Sequence, residues 1–554
     1  MDSPETPRID VLPVTVPGEK GQSQPELAHG TWEGWGWGLL VATGLTVAFA
    51  VALRVRMMFL GRSLWLDEAA LALNLCGRSF SELLKPLAND QAAPIGFLLT
   101  EHASVLAFGP TEFALRLFPF LASLAALALV YRLCQKNVNH LAGLIGLALL
   151  GVMPAILYYA GEVKQYELDI AIALGLLVLG AEILRTGLTV GKGIGLALAG
   201  SLAIWFSHPS VFVLAGVGTT LFCHEVVERR YRQAAFLLPV IACWLLNFGF
   251  EYFYFLKPLQ SNRYLDEYWQ GAFLRFPPRS PWDLRVYFAV AFGLFEALLQ
   301  NGQYDVDLSL RMGVFLASAW LIGVVTLYHQ GQRRLLWLLL SPLCFVLLAS
   351  LLHKYPLKSR LALFTAASTL PTIAVGLASL LTSVDTTKRW IGGILVTCAL
   401  LLPTVQGMQF LIQRPPLVHD ARGILTRLAR DWKPGDIVII DDYSAPPFDF
   451  YQTYGKIEGL DRVEPNRTKH SLSDAEGMAL EIPRWKGRAR VWFVLDTTLP
   501  DPHNLARGSL KVLLDGAGEA IESFTSRRYS AHLYDFQEGD SEAGPDRVAQ
   551  GLAR

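Results

Sequence analysis

The chain contains a series of apolar runs long enough to cross a lipid bilayer, and this feature limits its fold more than any other. A helix needs about 20 mainly apolar residues to span the hydrocarbon core. Of 554 residues, 52% are hydrophobic and only 17% are charged, a balance typical of multi-pass membrane proteins. We expect about eleven membrane helices, at residues 37–59, 112–133, 141–160, 167–185, 193–207, 209–225, 233–256, 309–328, 335–352, 361–383 and 390–411.

Two further apolar runs, at 94–109 and 284–300, are interrupted by ionisable residues. We expect both to form helices that lie in the plane of the membrane interface. With eleven spans and a cytoplasmic N-terminus, the clusters of basic residues between spans fall on the cytoplasmic side, which agrees with the positive-inside rule. The same topology places the segment 60–111, the turn 161–166 and everything after 412 on the outer side.

The two ends of the chain differ in composition from the apolar part. Residues 1–36 and 538–554 are polar, and we expect them to form disordered tails, the first of them cytoplasmic. Residues 413–537 are also polar but contain short β-type runs at 436–441 and 489–495, between helical segments. The expected fold is therefore a polytopic α-helical membrane protein with a small C-terminal α/β domain outside the cytoplasm.

Charge and cysteine content narrow the class of partner. The chain has 48 basic and 48 acidic residues, so its net charge gives no support for a nucleic-acid partner. Its six cysteines are scattered and show neither the spacing of a metal site nor a disulfide framework.

An acidic pair, Asp67 and Glu68, follows the first apolar run and lies next to Trp65. A carboxylate that enters hydrocarbon costs several kcal/mol, so an acidic pair at the membrane surface usually marks function. As a general base, such a carboxylate can take a proton from an acceptor hydroxyl or amine. The alternative is the start of an interfacial helix, where the helix dipole favours carboxylates and Arg62 pairs with them.

A second candidate segment joins two apolar runs and is expected on the same side as Asp67. It contains Glu162, Lys164 and Tyr166 within five residues. A lysine at a lipid-facing turn can hold a phosphate. The alternative is a polar turn flanked by an aromatic interface belt.

The third candidate is the turn 353–360, which contains His353, Lys354 and Arg360. The predicted topology places it outside, where cations are usually sparse. Binding of a phosphate explains these cations, and anchoring to anionic lipid head groups explains them equally well. His208, a single histidine in a tight turn, is a weaker binding candidate for which a structural role is favoured.

Five short segments occur in a recognisable order within residues 37–412. They are Leu64–Glu68, Gln91–Pro94, Glu112–Pro119, Ala160–Tyr166 and His353–Arg360. Their order resembles membrane glycosyltransferases of the GT-C fold, above all bacterial members related to protein O-mannosyltransferases and to the aminoarabinose transferase of lipid A. The chain departs from the family pattern in Ala93, where a double proline is usual, and in Lys164, where arginine is usual.

The resemblance implies a GT-C-like catalytic domain over residues 37–412. It also implies a sugar donor linked to polyprenyl phosphate, used at the outer face of the cytoplasmic membrane. The acceptor would be a lipid, a glycan or a protein of the cell envelope. The reaction would be a displacement at the anomeric carbon, with polyprenyl phosphate as the leaving group.

By the same resemblance, Asp67 deprotonates or orients the acceptor. Glu68 and Glu162 polarise or position the substrates. No metal is required if Lys164 and the cations of the turn 353–360, Lys354 and Arg360, neutralise the departing phosphate. An acidic pair also suits a divalent cation, so a metal near Asp67 is left open.

Two other classes of function remain open from the sequence. A transporter or flippase for a lipid-linked saccharide also needs polar residues near a lipid path, but it usually shows internal repeats and broken helices near mid-membrane. The sequence shows no such repeat. A structural scaffold for an envelope assembly is the third alternative.

Overall fold

The structure is a computed structural model. It describes residues 36–259, 269–274, 293–295, 298, 306–412, 420–467, 482–484, 490–496, 512, 514–526 and 529–536. The expected tails, apart from residue 36, lie outside the described residues, as does most of the apolar run at 284–300.

Helices account for most of the described chain before residue 413. In the first part they are α1 (Gly36–Met58), α2 (Leu66–Gly77), α3 (Ile95–Phe108), α4 (Glu112–Asn137), α5 (His140–Val152), α6 (Pro154–Tyr159), α7 (Tyr166–Thr186), α8 (Val190–Phe206), α9 (Ser210–Val227) and α10 (Tyr231–Glu251). The later ones are α11 (Val306–His329), α12 (Arg333–Leu351), α13 (Ala366–Leu381) and α14 (Thr386–Ile412).

Within the described residues, eight helices are long and apolar enough to cross a membrane. They are α1, α4, α9, α10 with its extension to Leu256, α11, α12, α13 with the turn that precedes it, and α14. Each coincides with one of the expected spans. The other three expected spans correspond to α5 with α6, to α7, which begins with two acidic residues, and to the 17-residue α8. The count of eleven is therefore not confirmed.

The apolar run at 141–160 is divided because Pro154 lacks the N–H that would continue α5. The carbonyl groups at the end of α5 receive hydrogen bonds from Arg54 of α1 instead. Its guanidinium donates to the oxygens of Leu150 and Gly151, each at 3.1 Å. Arg54 is fully buried, so this contact fixes the helix break just before the turn that carries Glu162.

Helix α13, with the turn that precedes it, is the most buried of the candidate spans, and 94% of its most apolar stretch lies inside the protein. It packs tightly against α11 because glycines let the two backbones approach. A side chain at Gly323 would collide with the carbonyl of Thr372, and one at Gly376 would reach the backbone of Gly323 within 2.6 Å. The turn before α13 carries Arg360, which is therefore attached to the rigid centre of the bundle.

The C-terminal part contains a five-stranded sheet with helices α15 (Ala421–Asp431) and α16 (Ala445–Thr453). Its strands are β1 (Ile437–Ile440), β2 (Pro465–Arg467), β3 (Arg490–Asp496), β4 (Glu519–Thr525) and β5 (Tyr529–Asp535). The strand order is β2-β1-β3-β5-β4, with β1 parallel to both neighbours and β5 antiparallel to both of its own. Strands β1 and β3 fall on the two β-type runs of the sequence. Helix α16 packs against α2, so the C-terminal part of the chain contacts the helix that begins with the acidic pair.

Candidate active site

The acidic pair lies in the first turn of α2, where the helix dipole favours negative charge. Successive residues of an α-helix point about 100° apart, so the two carboxylates face different surroundings. The side chain of Asp67 keeps 19% of its surface exposed, whereas that of Glu68 is fully buried.

Glu68 is enclosed by donors of the protein itself. Arg116 of α4 holds both carboxylate oxygens, at 2.9 and 3.0 Å from Nη2, and the backbone N–H of Val163 donates to Oε1 at 2.9 Å. Arg62 lies 3.8 Å away. Together these contacts keep the pKa of the buried Glu68 carboxyl below its usual value, although burial alone would raise it. The geometry connects α2, α4 and the turn that carries Glu162.

Asp67 faces a cationic pocket. Its Oδ2 lies 2.5 Å from Nη2 of Arg360. Burial raises the pKa of the Asp67 carboxyl, but the nearby charges of Lys164 and Arg360 outweigh this effect, so the pKa falls below its usual value. Asp67 is therefore ionised at neutral pH.

Lys164 reaches the same pocket from the turn between α6 and α7. Its ammonium donates to Oε1 of Gln91 at 2.7 Å, and the amide of Gln91 helps to lower the pKa of the Asp67 carboxyl. Burial lowers the pKa of Lys164, and the charge of Asp67 acts against that shift. Gln91 thus connects a buried cation to the candidate base.

Glu162 is fully buried beside this pocket. The indole N–H of Trp65 donates to its Oε1 at 2.5 Å, while Oε2 has no hydrogen-bond partner among the described residues. Burial, and then the charge of Glu68, raise the pKa of Glu162 to about 7. At neutral pH this carboxyl can therefore accept or donate a hydrogen bond toward a ligand.

Arg360 is surrounded by aromatic rings. Its guanidinium carbon lies 5.6 Å from the centre of the Trp65 ring and 6.0 Å from that of Tyr166. Arginine stacks on such rings while its charged edge remains available. Tyr166 also packs edge-on against Tyr159, with ring centres 5.0 Å apart. These rings hold the guanidinium beside Asp67.

Most of the site residues predicted from the sequence come together here. They are Asp67, Glu68, Glu162, Lys164, Tyr166 and Arg360. The remaining three have contacts elsewhere. His353 and Lys354 are exposed, and the ring of His353 stacks on Phe273 at 5.3 Å. His208 hydrogen-bonds to Glu251 at 3.1 Å.

A cavity of about 140 Å³ lies next to this cluster. Lys85, Asp90, Gln91 and His208 contribute polar groups to its wall, which also includes apolar side chains such as Leu98 and Phe255. Such a mixture is typical of a small-molecule site. His208 therefore lines a space beside the cluster, although it does not contact Asp67.

Four residues of the cluster were given no chemical role in the sequence analysis: Trp65, Gln91, Arg62 and Arg116. The pairing of Arg62 with the acidic pair, considered there as an alternative, occurs at 3.8 Å, but Arg116 makes the direct contact. In the sequence, Arg116 is marked by its position as a charged residue within an apolar span.

The described residues offer no clear metal site. No group of three His, Cys, Asp or Glu side chains comes together among them. The immediate partners of Asp67 are cations and an amide instead. These cationic and amide donors suit an anion, such as a phosphate, which would compete with Asp67 for the same cations.

No family model and no curated protein matches the chain. Among solved structures, it is similar to ArnT from Cupriavidus metallidurans in the apo state, with a TM-score of 0.49 and 13% identity over 90% of this chain and 100% of that one. ArnT bound to undecaprenyl phosphate gives the same TM-score at 12% identity over 92% of this chain and 100% of that one.

A second enzyme type is similar to the same degree. The oligosaccharyltransferase AglB from Archaeoglobus fulgidus, in complex with an inhibitory peptide and a dolichol-phosphate, matches with a TM-score of 0.48 and 12% identity over 93% of this chain and 76% of that one.

Proposed function

We propose that the chain is an integral membrane glycosyltransferase that moves a sugar from a polyprenyl-phosphate donor to an acceptor of the cell envelope. The observation that carries this proposal is the ion pair between Asp67 and Arg360, in a pocket that Lys164 also enters. A carboxylate beside two cations supplies a base for the acceptor and positive charge for a departing phosphate.

Donor binding is expected to activate Asp67. Arg360 pairs with Asp67 at 2.5 Å, and this pairing makes the carboxylate a weak base. The phosphodiester of the donor carries one negative charge that is shared over two oxygens, which arginine can bind together, and a second charge develops when polyprenyl phosphate leaves. When the phosphate takes over Arg360 and Lys164, Asp67 loses its neutralising partners, so its pKa rises toward a value suited to proton transfer.

The chemical step then follows from these positions. The acceptor O–H gives its proton to Asp67, and the acceptor oxygen forms a bond to the anomeric carbon. The bond from that carbon to the phosphate oxygen breaks, and its electron pair leaves on the phosphate. Lys164 and Arg360 stabilise that charge as it develops, which is where electrostatic catalysis acts most strongly.

Glu162 is proposed to hold the sugar. Its Oε2 is buried and has no hydrogen-bond partner among the described residues, and such a group gains from a ligand hydroxyl. A carboxyl with a pKa of about 7 can meet either the oxygen or the hydrogen of that hydroxyl. The unpaired oxygen thus supports binding of a polyhydroxylated ligand.

Glu68 is proposed to hold neighbouring residues in place and to take no part in the chemical step. Its carboxylate receives hydrogen bonds from Arg116 and Val163 and is fully buried. It would hold α2 in the orientation that turns Asp67 toward the cations.

The lipid tail of the donor would remain in the bilayer. Helices α1 and α4, both candidate spans, lie on either side of the segment that carries Asp67 in the sequence. The cationic pocket is therefore near the end of membrane helices, where a lipid phosphate resides. We place it on the outer face of the cytoplasmic membrane, as the distribution of basic turns indicates.

The proposal is tested with purified protein in lipid nanodiscs, incubated with polyprenyl-phosphate sugars and an envelope extract from cells that lack the protein. Mass spectrometry should detect a new glycosidic product together with free polyprenyl phosphate. A transporter would leave the donor intact. Absence of any product across hexose and pentose donors would reject the assignment.

A further inference from the structure

The C-terminal domain contacts the loop that precedes the acidic pair. Tyr451 of α16 is buried, with 1% of its surface exposed. Its hydroxyl accepts a hydrogen bond from the backbone N–H of Leu64 at 2.8 Å and donates one to Oε1 of Glu112, also at 2.8 Å. One side chain thus links the C-terminal domain to α4 and to a residue three positions before Asp67.

Arg422 of α15 reinforces this link. Its guanidinium forms an ion pair with Glu112, and its backbone N–H donates to the hydroxyl of Ser63 at 3.1 Å. The guanidinium carbon also lies 5.7 Å from the centre of the Tyr451 ring. Two neighbouring loop residues, Ser63 and Leu64, are therefore held by the C-terminal domain.

The opposite side of the loop is held by α4. Arg116 donates to the carbonyl of Arg62 at 2.7 Å and also grips Glu68. Glu112 and Arg116 are four residues apart and so lie on one face of α4. The same helix face thus joins the C-terminal domain to the acidic pair.

We propose that Tyr451 and Arg422 are positioning residues through which the C-terminal domain fixes the loop 62–65, and with it the direction of Asp67. This inference rests on the proposed glycosyl transfer. A misplacement of about 1 Å in a reacting group can cost on the order of 10²-fold in rate. Loss of the Tyr451 hydroxyl leaves the buried N–H of Leu64 without its acceptor, so the loop gains freedom.

The test compares Tyr451→Phe with Tyr454→Phe in full-length protein in nanodiscs. Tyr454 lies just beyond α16, and its hydroxyl faces Gly77 at the end of α2, so it controls for loss of a tyrosine hydroxyl near the same interface. Hydrogen exchange of peptides that cover 61–66 reports the loop, and steady-state kinetics report transfer. For Tyr451→Phe we expect faster exchange of these amides and a fall in kcat of tenfold or more, up to about 10²-fold, with the KM for donor unchanged.

The outcomes separate the two claims. Faster loop exchange with a wild-type kcat would overturn the positioning role, and so would unchanged exchange. If wild-type protein transfers no sugar, the proposed function fails, whereas the exchange comparison still decides whether Tyr451 holds the loop. If Tyr451→Phe does not fold, the same criteria apply to Ser63→Ala, which removes the acceptor of the Arg422 N–H.

Discussion

Replacing Arg116 by methionine should destabilise the protein far more than breaking a shorter ion pair at the surface. Arg116 and Glu68 are 2.9 Å apart, and their side chains are only 2% and 0% exposed. Arg185 and Glu182 approach more closely, to 2.6 Å, but are 48% and 32% exposed. Burial, not distance, decides the difference, because water screens the surface pair.

The magnitude follows from what remains after the substitution. Removing one partner of a buried pair costs about 3–5 kcal/mol, and Arg62, at 3.8 Å from Glu68, compensates only part of the charge that remains. Arg116→Met also takes the charged donor from the carbonyl of Arg62. Arg185→Met should cost at most about 1 kcal/mol. The double variant Arg116→Met with Glu68→Met should recover part of the loss, but not all of it, because the N–H of Val163 loses its acceptor.

Equilibrium unfolding in mixed micelles of increasing sodium dodecyl sulfate content provides the measurement, with far-ultraviolet circular dichroism as the signal. The free energies of the single variants and the double variant form a thermodynamic cycle. A loss of about 1 kcal/mol or less for Arg116→Met would refute the view that this pair holds the site together.

Two further predictions concern Glu162 and the cations. Because the pKa of Glu162 is raised to about 7 from its usual 4.5, the unfolded chain releases this proton first, so its contribution makes stability fall as pH rises from about 4.5 to about 7. Glu162→Gln should remove this pH-dependent contribution to stability. Unfolding of both proteins across this pH range should therefore show a difference in unfolding free energy that grows toward pH 7. A difference that stays constant would contradict the raised pKa. Arg360→Ala should weaken use of the lipid donor about tenfold or more, as expected for the loss of a charge-assisted bond of roughly 1.5–3 kcal/mol, whereas Lys354→Ala, at an exposed side chain, should have a smaller effect. Donor titrations compare the two variants with the wild type, and unchanged donor kinetics in both Lys354→Ala and Arg360→Ala would indicate that the turn only anchors lipid.

Hydropathy predicts much of the membrane part because spanning helices must be long and apolar. All eight candidate spans coincide with runs visible in the sequence. The division of the run at 141–160 depends on Pro154 and on Arg54, which comes from another helix. Local composition does not predict a contact between a side chain of one helix and the backbone of another.

The ordered motifs contain most residues of the site, but they do not show which of the two adjacent carboxylates is enclosed by protein donors. Asp67 and Glu68 are adjacent in sequence, and only the packing of α4 shows that Arg116 encloses one of them and leaves the other facing Arg360. Tyr451 was not foreseen, because nothing in the sequence places residue 451 beside residue 64. Strand β4 was also missed, since it is an edge strand whose residues are mostly exposed and show little apolar pattern.

The most direct test of the account compares sugar transfer by Asp67→Asn and Asp442→Asn in nanodiscs. Asp442 is an exposed carboxylate of the same chain, so its substitution controls for charge loss. Asparagine at 67 cannot take the acceptor proton, and removal of a general base costs on the order of 10²–10⁴ in rate. The account predicts that fall in kcat for Asp67→Asn, in a protein that unfolds at the wild-type detergent concentration, with full activity in Asp442→Asn. Wild-type turnover in a folded Asp67→Asn protein would contradict it.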